Sequence, residues 1–267
     1  MGSIVGGFAT SHTLFPSRNV EAAAARVLDG MMRLRSAVAR LAPDVLVVAN
    51  SDHMNNFTLA RQITFAVGVA DEYLPLGDMG IPQQRFRGSR ELGTAFARHA
   101  ATRGFDVVAA EEVRPDHGMM ITKLIAAPDP RLAVVPVYIN TNMPVVPAPQ
   151  RAFELGQVLA EAIGAGPWER AVVVAGGGLS HWLCTPEEGR VNEAFDRHFL
   201  ELMSAGRAAE LARLSVTELE AAAGNGGLEL ANWLFMAGTL PRARGETFYY
   251  EPIPAWITGM GGLALYP

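Results

Sequence analysis

Six histidines lie along the 267-residue chain, and four of them stand just beyond or beside short apolar runs. His12 closes Ala9-Thr10-Ser11-His12, and His53 closes Asn50-Ser51-Asp52-His53 after Leu46-Val47-Val48-Ala49. His181 ends a glycine-rich turn, Gly176-Gly177-Gly178-Leu179-Ser180-His181, that follows the run 171–175. His117 sits in Pro115-Asp116-His117-Gly118, which reads as a turn between Val113 and the apolar segment 119–125. Imidazole can ligate a metal ion or carry a proton near neutral pH. Any one of these histidines alone reads more readily as a turn residue bonded to backbone. Four of them at the ends of separate apolar runs point instead to a shared site. His99 and His198 differ: each lies beside an arginine (Arg98, Arg197) in an amphipathic segment and reads as part of a solvated helix face.

Imidazoles alone would suit zinc, whereas adding one carboxylate and leaving positions open suits non-haem Fe(II). The candidate acids in apolar surroundings are Asp52, Asp116 and Glu229. Glu229 opens Leu228-Glu229-Leu230-Ala231-Asn232-Trp233-Leu234-Phe235-Met236, where an acid is costly to bury unless paired or bound to a cation. A first-turn acid stabilised by a helix dipole is the structural alternative. Asp52 and Asp116 each precede a histidine directly. Neighbours in sequence rarely share one small ion, so supporting or capping roles suit them better.

These residues need a scaffold. Short runs rich in β-branched residues at 4–8, 45–49, 64–69, 107–109, 133–138 and 171–175 predict strands, most of them apolar on both faces. Between them, helical spacing predicts helices at 20–41 (capped by Asn19, ended by Pro43), 89–103, 148–163, 191–203, 216–223 and 228–237. Two β-like stretches, 248–250 and 262–266, close the chain. Strands alternating with helices predict an α/β fold, with a central, mostly parallel or mixed sheet and helices on both faces. Without linkers or repeats, residues 1–267 read as one domain. In such sheets ligands bind beyond the carboxyl ends of the strands, where four of the histidines fall.

Composition narrows the function further. With 22 basic and 27 acidic residues the net charge is −5, which argues against a nucleic-acid partner. Twenty-one of the cations are Arg and one is Lys123, with no polybasic patch for a membrane surface. The single cysteine, Cys184, excludes an internal disulfide framework and any cysteine-based metal cluster. A cytoplasmic location is the expectation, as no secretory leader and no long apolar span is evident.

An ordered set of motifs then carries a resemblance. Thr10-Ser11-His12, Asn50-x-Asp52-His53-x-x-x-Phe57, Asp116-His117-Gly118, Gly177-Gly178-Leu179-Ser180-His181 and Gly227-Leu228-Glu229-Leu230-x-x-Trp233 occur in this order. The stretch 136–156, Asn192-x-x-Phe195-Asp196 and Thr247-Phe248-Tyr249 add to it. Together they resemble the class III extradiol ring-cleavage dioxygenases, in particular the β subunit of protocatechuate 4,5-dioxygenase, over essentially the whole chain. The resemblance implies Fe(II) held by His12, His53 and Glu229, and His181 as the acid/base histidine. It places His117 as a second active-site histidine at the substrate, and Thr258, more loosely, as a substrate contact. It further implies a catechol-type substrate and O2, ring opening beside the two hydroxyls to a semialdehyde, and a homo-oligomer or a complex with a small α subunit. Nothing in this chain resembles that α subunit, and 71–87 and the surroundings of Trp256 diverge from the family. A 2-aminophenol-cleaving dioxygenase would use the same ligands. A zinc hydrolase working through a metal-bound water is the alternative of a different class, and a non-enzymatic binding scaffold ranks last. Arg18, Arg85 and Arg87 are candidates to meet a substrate carboxylate, with exposed surface arginine as the simpler reading.

Overall fold

The computed structural model describes residues 1–267. Its first half runs β1 (Ile4–Thr10), α1 (Glu21–Arg40), β2 (Val45–Asn50), β3 (Phe65–Gly68), β4 (Glu72–Tyr73), β5 (Phe86–Arg87), α2 (Arg90–Thr102), β6 (Val107–Ala110) and α3 (His117–Ala126). Then follow β7 (Ala133–Ile139), α4 (Pro149–Gly164), β8 (Ala171–Gly176), α5 (Glu193–Ser204), α6 (Ala208–Leu211) and α7 (Val216–Ala223). Helix α8 (Leu230–Thr239) and strands β9 (Arg244–Ile253) and β10 (Thr258–Tyr266) complete the chain.

Eight strands form one mixed sheet in the order β6-β3-β7-β2-β8-β1-β10-β9, and β4 and β5 form a separate hairpin. The centre, β7-β2-β8-β1, is parallel throughout. Strands β3 and β10 run antiparallel to β7 and β1, and β9 runs antiparallel to β10. Every residue of β2 and β8 is buried. The two-residue period of a strand divides them cleanly: Val45, Val47, Ala49, Val173 and Ala175 join the core beneath α2, α4 and α8. Leu46, Val48, Val172 and Val174 join the core beneath α1 and α3. This is the helix-covered sheet that the apolar runs predict, and its antiparallel flanks make it mixed.

Local chemistry accounts for the boundaries. Ser89 caps α2 by accepting from Leu92 N–H, and Ser215 with Glu218 forms a capping box on α7. Asn19 does not cap α1 as expected. It takes a left-handed backbone (φ 67°), and its N–H donates to Glu21 Oε1 at 3.0 Å, leaving Val20 at the cap. His117 is not in a free turn but is the first residue of α3, because Asp116 caps that helix by accepting from Met119 N–H. The apolar run predicted to be helical from 228 begins α8 only at Leu230, since Gly226–Glu229 first forms a tight 3-10 turn.

Helix α8 lies unusually close to α4. A Cβ on Gly156 would fall 2.0 Å from Phe235 O, and one on Gly238 would fall 1.9 Å from Phe153 O. This contact fixes the helix that follows Glu229. On α3, Lys123 is 2% exposed, and its ammonium donates to Pro128 O and Asp129 O, both at 3.1 Å. No helix is long and apolar enough to cross a membrane.

Candidate metal centre

Strands β1 and β2 flank β8 and run parallel to it, so all three end on one edge of the sheet. His12 lies two residues past β1, His53 three past β2, and His181 at the close of the turn that leaves β8. The 3-10 turn before α8 brings Glu229 over that edge, and the start of α3 brings His117. Gly177 makes the approach possible. Its φ is 131°, and a Cβ there would lie 2.8 Å from Glu229 Cβ.

The three imidazoles of His12, His53 and His117 offer ligand atoms within 4.8 Å of one another. Ring centroids stand 5.5 Å apart for His12 and His53, 5.9 Å for His12 and His117, and 4.3 Å for His53 and His117. Glu229 Oε1 lies 3.5 Å from His53 Nε2, and its Oε2 lies 3.9 Å from His181 Nε2 while accepting from Gly178 N–H at 3.1 Å.

Three of the four rings are oriented from behind. His53 donates through Nδ1 to Asp116 Oδ2 at 3.0 Å, and the same oxygen accepts the His53 backbone N–H at 2.8 Å. His117 is held likewise by Asp78 Oδ2, at 2.6 Å to Nδ1 and 3.2 Å to the backbone N. His181 Nδ1 donates to Leu179 O at 3.0 Å. A carbonyl or carboxylate can only accept here, so in the neutral ring each Nε2 carries the lone pair and faces the site. Asp52 turns away and accepts the N–H groups of Asn55, Asn56 and Phe57, shaping the loop after His53.

Burial and charge work against each other in this cluster. Burial pushes His12 down to about 4 despite the nearby Glu229 carboxylate. Burial also opposes charging His53, but Asp116 and Glu229 together outweigh it and hold it up to about 10. For Glu229, burial alone would favour the neutral acid. His12, His53 and His181 instead keep its carboxyl well below the usual range.

Of the six buried side-chain polar atoms without a hydrogen-bond partner, two belong to this cluster's inner residues, His12 Nδ1 and Glu229 Oε1. Uncompensated atoms of this kind are costly unless they face a cation. Two donors of one ion, each at roughly 2.1 Å, stand about 3 Å or slightly more apart, so the 3.5 Å between Glu229 Oε1 and His53 Nε2 fits a shared ion. The donor set of two or three imidazoles, each giving up any Nε2 proton as an ion binds, and one carboxylate therefore suits a divalent transition metal.

A cavity of about 560 Å³ opens over this cluster and is lined by His12, His53, His117, His181 and Glu229 among others. Thr258 does not line it. Its hydroxyl is fully buried, donates to Gly259 O at 3.2 Å and stands behind Gly178, while its neighbour Ile257 reaches the cavity. His99 bonds Glu161 and His198 is exposed, both away from the site. Asp78 was not among the sequence candidates, because no apolar run or periodicity marks it. The bracket Gly77-Asp78-Met79-Gly80, a tight turn with three left-handed residues, was the available signal.

The family described as the catalytic LigB subunit of aromatic ring-opening dioxygenase matches residues 11–261, a span holding every residue of the cluster. The chain belongs to this family. The LigB chain is similar to a 2,3-dihydroxyphenylpropionate/2,3-dihydroxicinnamic acid 1,2-dioxygenase of Klebsiella pneumoniae, at 27% identity over 89% of this chain and 91% of the relative. An enzyme of the same description from Pseudomonas putida is 26% identical over 91% of each chain. The crystal structure of an uncharacterized Escherichia coli K12 protein shares the fold, with a TM-score of 0.59 and 16% identity over 97% of this chain and 99% of that one. As a LigB member, the protein is an aromatic ring-opening dioxygenase.

Proposed function

We propose that the protein is an Fe(II)-dependent extradiol dioxygenase that opens a catechol ring beside its two hydroxyls and places both atoms of O2 in a semialdehyde product. The unpartnered Glu229 Oε1, buried 3.5 Å from His53 Nε2, carries this reading, because it completes a two-histidine, one-carboxylate set that leaves room for guests. His12, His53 and Glu229 would hold the iron. Bound there, Fe(II) supplies a Lewis acid that acidifies the catechol and a redox partner for O2.

The remaining residues handle protons and position. His181 Nε2, unprotonated in the neutral tautomer that Leu179 O selects, takes the proton of a substrate hydroxyl and later returns one to the leaving oxygen. His117, fixed by Asp78, presents its Nε2 to the substrate from the side facing His53. Thr258 backs the Gly178 turn that leads into His181. The catechol assignment also draws on the relatives, whose names specify 2,3-dihydroxyphenyl substrates.

The test is anaerobic loading with Fe(II), followed by O2 uptake and the appearance of yellow product on a panel of catechols and 2-aminophenols. His12→Ala, His53→Ala and Glu229→Ala should lose the metal, while His117→Ala should retain it. Loss in His117→Ala with retention in Glu229→Ala would move the ligand set to the three imidazoles. His181→Gln should bind iron and catechol but turn over roughly 10²–10⁴-fold more slowly. O2-independent hydrolysis by the zinc-loaded protein would overturn the assignment.

A further inference from the structure

The cavity over the metal cluster has a wall of one electrostatic character. None of the 21 arginines lines it, nor does Lys123. Apart from the histidines, its only ionisable residues are Glu229 and Glu220. Glu220 lies in the last turn of α7, forms no ion pair, and adds its charge to the partial negative charge of that helix end.

Most of the polar groups that could replace a cation are already engaged in hydrogen bonds. Asn225 accepts from Leu183 N–H at 2.8 Å and donates to Leu183 O at 2.9 Å. Asn142 donates to Asp52 O at 2.9 Å, and Thr141 is bonded to Ser51 at 2.6 Å. Arg85 and Arg87 line a separate shallow depression with Glu72 and Arg131, and Arg85 is paired to Glu72 at 3.2 Å.

Apart from Thr13, the rest of the wall is apolar, and its mouth is openly so. Phe15, Met54, Met79 and Leu183 are large, solvent-exposed apolar side chains that line this one cavity. A cluster of exposed apolar groups at a cavity entrance marks a binding surface for an apolar group. The unbranched thioethers of Met54, Met79 and Met143 can adapt to its shape.

We propose that this cavity selects catechols whose ring substituent is apolar and lacks a carboxylate, and that Glu220 is a specificity-determining residue that excludes anions. The inference rests on the ring-cleavage reading above and separates this chain from relatives named for 2,3-dihydroxyphenylpropionate. A substituent carboxylate entering here would meet no arginine or lysine and a second negative charge from Glu220, whereas an alkyl chain would meet a mainly apolar wall.

The test uses two probes that differ at one end only, 3-propylcatechol and 2,3-dihydroxyphenylpropionate, with the Fe(II)-loaded enzyme. Anaerobic calorimetry gives their affinities, and O2 uptake gives kcat/KM. Both ratios should favour 3-propylcatechol by roughly tenfold or more. Glu220→Arg should narrow the ratio at least about fivefold, and the milder Glu220→Gln should shift it the same way. Equal or better use of the carboxylate, or a ratio unmoved in both variants, would overturn the proposal. If neither probe is opened but calorimetry still favours 3-propylcatechol, the reaction assignment fails and the selectivity stands. If both are opened and the carboxylate is preferred, the selectivity fails and the reaction stands.

Discussion

Replacing Asp116 by Asn changes one atom and removes one charge directly behind His53. Asp116 is fully buried; Oδ2 accepts from His53 N, His53 Nδ1 and Asn55 Nδ2, and Oδ1 accepts from Met119 N. Asn is as good a helix cap as Asp, so with its oxygen toward Met119 the start of α3 survives. The amide NH2 then faces His53 Nδ1. That nitrogen must become the acceptor, which moves the ring proton to Nε2, the atom facing Glu229. A proton there blocks the ligand position. With the amide reversed, His53 keeps its tautomer but loses a charge-assisted bond worth about 1.5–3 kcal/mol, and the cap is lost. Either way metal affinity should fall roughly 10–100-fold. Anaerobic competition titration measures it directly, and a thermal melt confirms that the variant is folded. Wild-type affinity in a folded Asp116→Asn protein would refute the claim that this carboxylate sets the orientation of His53.

Three further outcomes follow from the geometry. Gly177→Ala must place a side chain at φ 131° and 2.8 Å from Glu229 Cβ, so it should cost about 2–3 kcal/mol in a denaturant titration and weaken metal retention. Asp78→Ala should leave metal content unchanged but raise KM for catechol several-fold, read by O2 uptake, because His117 loses its anchor. Burial raises the Asp196 carboxyl to about 6 in spite of the bonds it accepts from Ser180 and Tyr250. The unfolded chain releases that proton near pH 4, so between about pH 4 and 6 the folded state binds more protons and this residue lowers stability as pH rises. From pH 4 to 7 the wild type should therefore lose on the order of 3 kcal/mol relative to Asp196→Asn in urea titrations, and a pH-independent difference would contradict this.

The strands that position the site were readable because they are buried on both faces. Val45–Asn50 and Ala171–Gly176 carry side chains that fit nowhere but beneath two layers of helix. His12, His53 and His181 were visible as polar residues just past such runs, and Glu229 as an acid in an apolar context. Strand order was not readable from any single segment. That β8 falls between β1 and β2, which makes the histidines neighbours, results from packing across the whole sheet. Nor was the carboxylate behind His117, since Asp78 reaches it across 39 positions of sequence from a turn with no periodic pattern. Asn19 misled because an Asn before a helix suits both a cap and a left-handed turn, and the reach of Glu21 decided between them.

Lys123 gives the chain an unusual property. Its only side-chain amine is shut beneath the loop after α3, tied to two carbonyls at 3.1 Å. Reagents that acylate amines will therefore find no lysine on the native surface and can reach this one only when α3 lifts from the sheet. Because His117 begins that same helix, the rate at which Lys123 is acylated becomes a natural clock for how often the histidine-bearing edge comes apart, readable by mass spectrometry.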